Sequence, residues 1–126
     1  MARTYYRTTI TEVGPEVADL VEGGVLILFA TGSPAELAEV SVLHTVQEGS
    51  PEAPPVGASL EVGDINARLT AIGSLAWNKI GEMGHVVINF DGSTQSNRPG
   101  ELSASPVDSG KLAAALRPGA IITITG

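Results

Sequence analysis

The chain has 126 residues, 43% of them hydrophobic and 17% charged, with 14 acids against seven bases and a formal net charge of −7. That is enough apolar material to bury one core, so residues 1–126 are expected to form a single domain rather than a disordered chain. Cysteine is absent and histidine occurs twice. Disulfides and thiolate zinc sites are thereby excluded, and nucleophiles suited to neutral pH are confined to two imidazoles.

No apolar run approaches the ~20 residues that span a bilayer; the longest, Val25 to Ala30, has strand length. The N-terminal stretch Met1 to Arg7 lacks the apolar core of a signal peptide, so cytoplasm is the default expectation. The bases Arg3, Arg7, Arg68, Lys79, Arg98, Lys111 and Arg117 are scattered in sequence. No clustered basic segment serves a phosphate backbone, and a nucleic-acid partner is not expected. The acidic balance suits steering of a basic protein partner, or solubility alone.

In chain order, Tyr5 to Val13 alternates and is rich in Thr and Tyr, which predicts a half-exposed strand. Gly23-Gly24 leads into the buried-type strand Val25 to Ala30. Ser33 as a cap, Pro34 at the first helical position and Glu36 reaching back predict a helix of about two turns through Glu39. The His44 strand follows, Ser41 to Val46. Gln47 to Gly57, with Pro51, Pro54 and Pro55, reads as a loop.

Strands over Ser59 to Val62 and Asn66 to Ile72 flank Gly63-Asp64, a hairpin signal. Ser74 is placed to cap a helix over Leu75 to Met83, with Leu75, Ala76, Ile80 and Met83 as its inner stripe. Gly84 ends that helix. His85 opens a strand that stops at Asp91-Gly92, read as a hairpin turn. Glu101 to Val107 is a strand, Gly110 to Leu116 a short helix, and Ala120 to Thr125 a closing strand.

Glycine entries at Gly23-Gly24, Gly57 and Gly119 recur at irregular spacing, so no repeat array is assigned. The pattern predicts a mainly β fold: a small closed or nearly closed β-barrel of about seven short strands with two or three short helices. Two Phe, two Tyr and one Trp leave the core to aliphatic side chains.

His44 sits inside an apolar strand. Spacing alone favours a structural histidine hydrogen-bonded to a carbonyl; the alternative is a nucleophile held on a rigid element. His85 follows a helix end, where a protonated ring is stabilised by the dipole; its alternative role is to stabilise a group carried by His44. A metal site lacks any His-x-x-x-His spacing, and Glu36 and Glu39 read as the solvated face of their helix. No Gly-x-Ser-x-Gly, Gly-x-Gly-x-x-Gly or Walker-type loop occurs, so neither a serine nucleophile nor a bound nucleotide is supported.

Four stretches stand in order along the chain: Thr8-Thr9-Ile10-Thr11, Leu26 to Phe29 running into Gly32-Ser33-Pro34-Ala35-Glu36-Leu37, Ala71-Ile72-Gly73-Ser74, and Gly84 to Gly92. Together they are similar to the glucitol/sorbitol-specific enzyme IIA components of the sugar phosphotransferase system. Pro99-Gly100 and Pro118-Gly119 fall in step, so the resemblance runs from about Tyr5 to Thr125.

The resemblance implies a small β-barrel and a phosphohistidine relay with no cofactor and no metal. Phosphorylated HPr would pass its phosphoryl group to His44, the histidine shortly after the Gly-x-Pro-Ala-x-Leu segment. From there it would go to the cognate IIB component, and the membrane permease IIC would phosphorylate the polyol. Some family members carry a second histidine two residues after the acceptor, where this chain has Val46, which leaves His85 as the candidate assistant. Backbone N–H groups of Gly73 and Ser74, at the start of the Leu75 helix, are candidate phosphoryl donors. An apolar patch around the acceptor, drawn from Val42, Leu43 and Val46, would receive the partners. The sequence is compatible with a homodimer. Two other readings stand beside the carrier: a non-catalytic barrel binding module with structural histidines, and a metal-dependent small-barrel enzyme.

Overall fold

The computed structural model describes residues 3–32, 34–96 and 98–126. The strands are β1 (Thr4–Val13), β2 (Val25–Ala30), β3 (Val42–Gly49), β4 (Ser59–Val62), β5 (Ile65–Ile72), β6 (Val86–Asn89), β7 (Glu101–Ala104) and β8 (Ile121–Thr125). The helices are α1 (Val17–Glu22), α2 (Ala35–Ala38), α3 (Ala76–Met83) and α4 (Ser109–Ala115). The strands close into a barrel in the order β1-β3-β2-β6-β7-β5-β4-β8, with β8 paired back onto β1. Closure leaves no unpaired sheet edge.

The interior is aliphatic, as the composition requires: Ile10, Leu26, Leu28, Leu60, Leu69, Ile88, Leu102, Ile122 and Ile124 are all essentially fully buried. Burial alternates along most of these strands; β2 turns the apolar Val25, Ile27 and Phe29 outward, and in β7 Leu102, Ser103 and Ala104 are all buried. The Gly63-Asp64 turn is a two-residue hairpin, with Val62 opposite Ile65 and Gly63 at a φ of +56°, a region glycine enters without strain.

Four expectations are corrected. β6 and β7 pair in parallel, Val87 opposite Glu101, so Asp91-Gly92 does not turn a hairpin but begins a crossover. The segment read as a loop from Gln47 is strand to Gly49, because β1 is long enough to pair Arg7 with Glu48 and Tyr6 with Gly49. Helix α1, not anticipated, has no side-chain cap to announce it and is held by burial of Val17 and Val21. Helix α3 begins one residue late and Ser74 does not cap it; Ala76, Trp77 and Ile80 are its buried face, while Leu75 and Met83 are exposed. Ser33, expected to cap α2, lies outside the described residues, and Pro34 holds the N-cap position.

Candidate functional site

His44 projects into one end of the barrel. β3 runs parallel to β2 with Leu28 opposite Val42 and Ala30 opposite His44, so His44 shares the inward face of the core residues Leu28 and Val42. The ring is 1% exposed. Its Nδ1 meets the Thr8 hydroxyl at 2.5 Å and its Nε2 meets the Gly84 carbonyl oxygen at 2.6 Å. A carbonyl only accepts, so Nε2 carries the proton, and in the neutral ring the Nδ1 lone pair accepts from Thr8. Burial pushes the imidazole below its usual value of 6.5, and the bond to Gly84 opposes that shift only in part. At pH 7 the ring is neutral, with a defined tautomer.

A cleft of about 530 Å³ opens beside this buried ring, and His44 does not itself line it. His44's neighbours Tyr6, Ala30 and Gly84 line it, with Val46, Gly49, Ser50 and Pro51 and, from α3, Trp77, Ile80, Gly81, Glu82 and Met83. The Tyr6 ring stands edge-on to both His44 and Trp77, with centroids 6.1 and 5.9 Å apart. Trp77 Nε1–H donates to the Ser50 carbonyl at 2.7 Å and ties helix to loop. Val46 and Met83 are exposed at the rim. Val42 and Leu43, expected in an outer patch, are instead buried, Val42 because it points into the barrel.

His85 lies on the other side of the wall. It precedes the inward Val86, its ring lies against Phe29 at 4.8 Å, and its Nδ1 is 3.1 Å from the Leu28 carbonyl oxygen. With Leu75, Lys79, Arg98 and Glu101 it lines a separate outer depression of about 360 Å³. The two imidazoles are linked through the chain at Gly84 but face opposite ways, so no shared phosphoryl position lies between them. Lys79 and Arg98, separated in sequence, both line this depression.

Gly73 and Ser74 also lie away from His44. The Gly73 N–H donates to the Glu101 carbonyl at 2.9 Å and that of Leu75 to Pro99 at 2.8 Å, so the start of α3 is anchored to the 98–101 segment. The Gly73 donor is committed and is not free for a phosphoryl oxygen. Among the described residues no group of three or more His, Asp or Glu is placed to hold a metal ion, and no helix is long and apolar enough to cross a membrane.

Thr8, Tyr6, Gly84 and Trp77 were not singled out for the site by sequence. The signal for two of them was present: Tyr6, Thr8 and Ile10 share one face of β1 at period two, and a threonine between two inward hydrophobes needs a buried partner.

The family model described as "PTS system glucitol/sorbitol-specific IIA component" matches residues 5–123. The chain belongs to this family. It is a phosphocarrier component of a sugar phosphotransferase system. The "PTS system glucitol/sorbitol-specific EIIA component" proteins of Shigella flexneri and Escherichia coli (strain K12) are each 36% identical to it over 103 residues, covering 81% of this chain and 83% of theirs. The crystal structure of the PTS system IIA component from Enterococcus faecalis V583 superposes with a TM-score of 0.74 over 95% of this chain and 99% of that one; at 20% identity it bears on the fold alone.

Proposed function

We propose that His44 is the residue that carries the phosphoryl group. The observation that supports this most is a neutral, doubly hydrogen-bonded imidazole whose neighbours Tyr6, Ala30 and Gly84 line an apolar-rimmed cleft. Phosphoryl transfer between two histidines needs positioning and charge stabilisation more than covalent machinery. A ring held at both nitrogens is already oriented, and its low proton affinity keeps it neutral, with its one lone pair on Nδ1 engaged by Thr8. The cleft-side nitrogen is Nε2, because Gly84 lines the cleft and Thr8 does not. Thr8 can donate or accept, so it serves either tautomer, whereas the Gly84 carbonyl tolerates only Nε2–H. Exposure of a nucleophilic Nε2 therefore means moving the proton to Nδ1 and swinging the end of α3 aside.

In this proposal phosphorylated HPr docks on the Val46–Met83 rim and delivers its phosphoryl group. The nitrogen–phosphorus bond on His44 forms as the donor's breaks, and the proton that His44 sheds balances the one taken up by the departing imidazole. The cognate IIB component then docks on the same rim, in a cytoplasmic relay that ends in polyol uptake through IIC; glucitol or sorbitol as that polyol follows the specificity in the relatives' names.

A second reading is favoured by one observation: His85 Nε2 has no hydrogen-bond partner among the described residues and opens beside Lys79 and Arg98. Incubation with phosphorylated HPr, followed by peptide mapping under alkaline conditions, separates the two. Label on the peptide holding His44, lost in His44→Ala and retained in His85→Ala, is the expected result; the reverse pattern would assign the acceptor to His85.

A further inference from the structure

Tyr6 is 98% buried, yet its hydroxyl has no hydrogen-bond partner among the described residues. An unpaired buried hydroxyl forfeits its hydration without return, and such a group in a native fold asks for a ligand that completes it. Tyr6 lines the cleft beside His44 and packs edge-on to that ring. The other aromatic donor of the cleft, Trp77 Nε1–H, is already committed to the Ser50 carbonyl. Among the described residues the one charged side chain lining the cleft is Glu82, which repels an incoming phosphoryl group.

We infer that the Tyr6 hydroxyl is the built-in donor for the phosphoryl group on His44, unpaired in the resting protein because its acceptor arrives only with the phosphate. The inference rests on His44 being the carrier. Burial holds the phenol protonated far above its ordinary range, so throughout the physiological span it can only donate to an oxyanion. No proton leaves Tyr6. Its O–H points at a phosphoryl oxygen while the nitrogen–phosphorus bond is made and again while it is broken. A donor already desolvated and in place needs no reorganisation when charge builds on the transferring group.

Tyr6→Phe removes the hydroxyl and keeps the ring. A purely structural tyrosine and a phosphoryl donor then part company, because losing an unpaired buried hydroxyl should leave the melting temperature unchanged or raise it. The expected result is a protein at least as stable as the parent, labelled on His44, that accepts phosphate from phosphorylated HPr on the order of 100-fold more slowly, the scale of removing one preorganised oxyanion donor. The phosphorylated variant protein should also show a displaced ³¹P resonance. Parental rate and resonance with label on His44 would overturn the role of Tyr6 alone. Label on His85 in the parent would overturn the carrier assignment beneath it, whatever Tyr6→Phe does.

Discussion

Thr8 lies two residues along β1 from Ile10, the register partner of His44, and its hydroxyl meets Nδ1 of that ring at 2.5 Å. Both groups are buried, so the bond holds the ring's tilt, while the Gly84 carbonyl sets its tautomer. Thr8→Val keeps the shape and removes the partner. Stability should fall by about 1–2 kcal/mol, the cost of leaving a buried imidazole nitrogen unpaired. Phosphate acceptance should slow by roughly tenfold, since positioning rather than the acceptor itself is lost. Thr8→Ser, which restores a hydroxyl, should recover most of the rate; a valine variant with parental kinetics would remove Thr8 from the mechanism.

Replacing His44 itself has two separable effects. His44→Ala removes the acceptor and leaves both the Thr8 hydroxyl and the Gly84 carbonyl without their partner, so it should abolish labelling and lower stability by about 2–4 kcal/mol. His44→Gln can still donate to one neighbour and accept from the other, and should keep more of the stability with none of the labelling. Differential scanning calorimetry alongside radiolabel uptake distinguishes loss of the acceptor from loss of the fold.

The lowered pKa of His44 makes stability pH-dependent in a definite direction. In the unfolded chain the imidazole binds a proton near pH 6.5, while in the folded chain burial delays protonation to a lower pH. Between those two values the unfolded state holds more protons, so stability is full above pH 6.5 and declines as the pH falls toward the folded value. The slope contributed by this one group reaches about 1.4 kcal/mol per pH unit. Urea titrations from pH 7.5 to 5 on the parent and on His44→Gln should diverge only below about pH 6.5; parallel curves would mean that the ring titrates normally.

The barrel was legible in sequence because its strands obey period two and its turns carry glycine. β2 begins and ends where the Val25 to Ala30 run does, and the Gly63-Asp64 hairpin sits as read. What sequence reading missed were features decided by tertiary pairing. Asp91-Gly92 resembles a hairpin turn locally, yet β6 takes β2 as its antiparallel neighbour and pairs with β7 in parallel. Trp77 rather than Leu75 faces inward on α3 because its indole finds both Tyr6 and the Ser50 carbonyl. At the site, each histidine was visible as a rare residue in a strand context, but which face of the wall it would take was not. That is fixed by the parallel β2–β3 register for His44 and by the Leu28 carbonyl for His85.

Gly84 closes α3 at a φ of +61°, and a Cβ built there would stand 2.9 Å from the Cβ of Ala30. Gly84→Ala therefore combines left-handed strain with a clash against β2, and should cost about 2 kcal/mol or more. The displaced carbonyl would also release Nε2 of His44, so its ¹⁵N resonance should move. Gly81→Ala is the internal control. Its added Cβ meets nothing within 4 Å in the exposed middle of the same helix, and alanine there should stabilise by about 0.5–1 kcal/mol. Equal destabilisation at both positions would mean that general helix damage, not the Gly84 contact, is being measured.

The Trp77 to Ser50 bond crosses the cleft between helix and loop, so it opposes any motion that uncovers His44. Trp77→Phe keeps an aromatic ring against Tyr6 and deletes the indole donor. The lost bond is worth about 1 kcal/mol of global stability, and the Ser50 carbonyl can turn to water once the walls part. If uncovering the ring limits the rate, the closed state loses more than the open one, and opening becomes roughly fivefold more favourable for that 1 kcal/mol. Amide exchange at residues 50–53 and 80–84 should quicken while exchange in the β4–β5 hairpin stays unchanged, and label uptake should rise several-fold. Slower uptake together with faster exchange would show that the closed walls, rather than their parting, create the competent site.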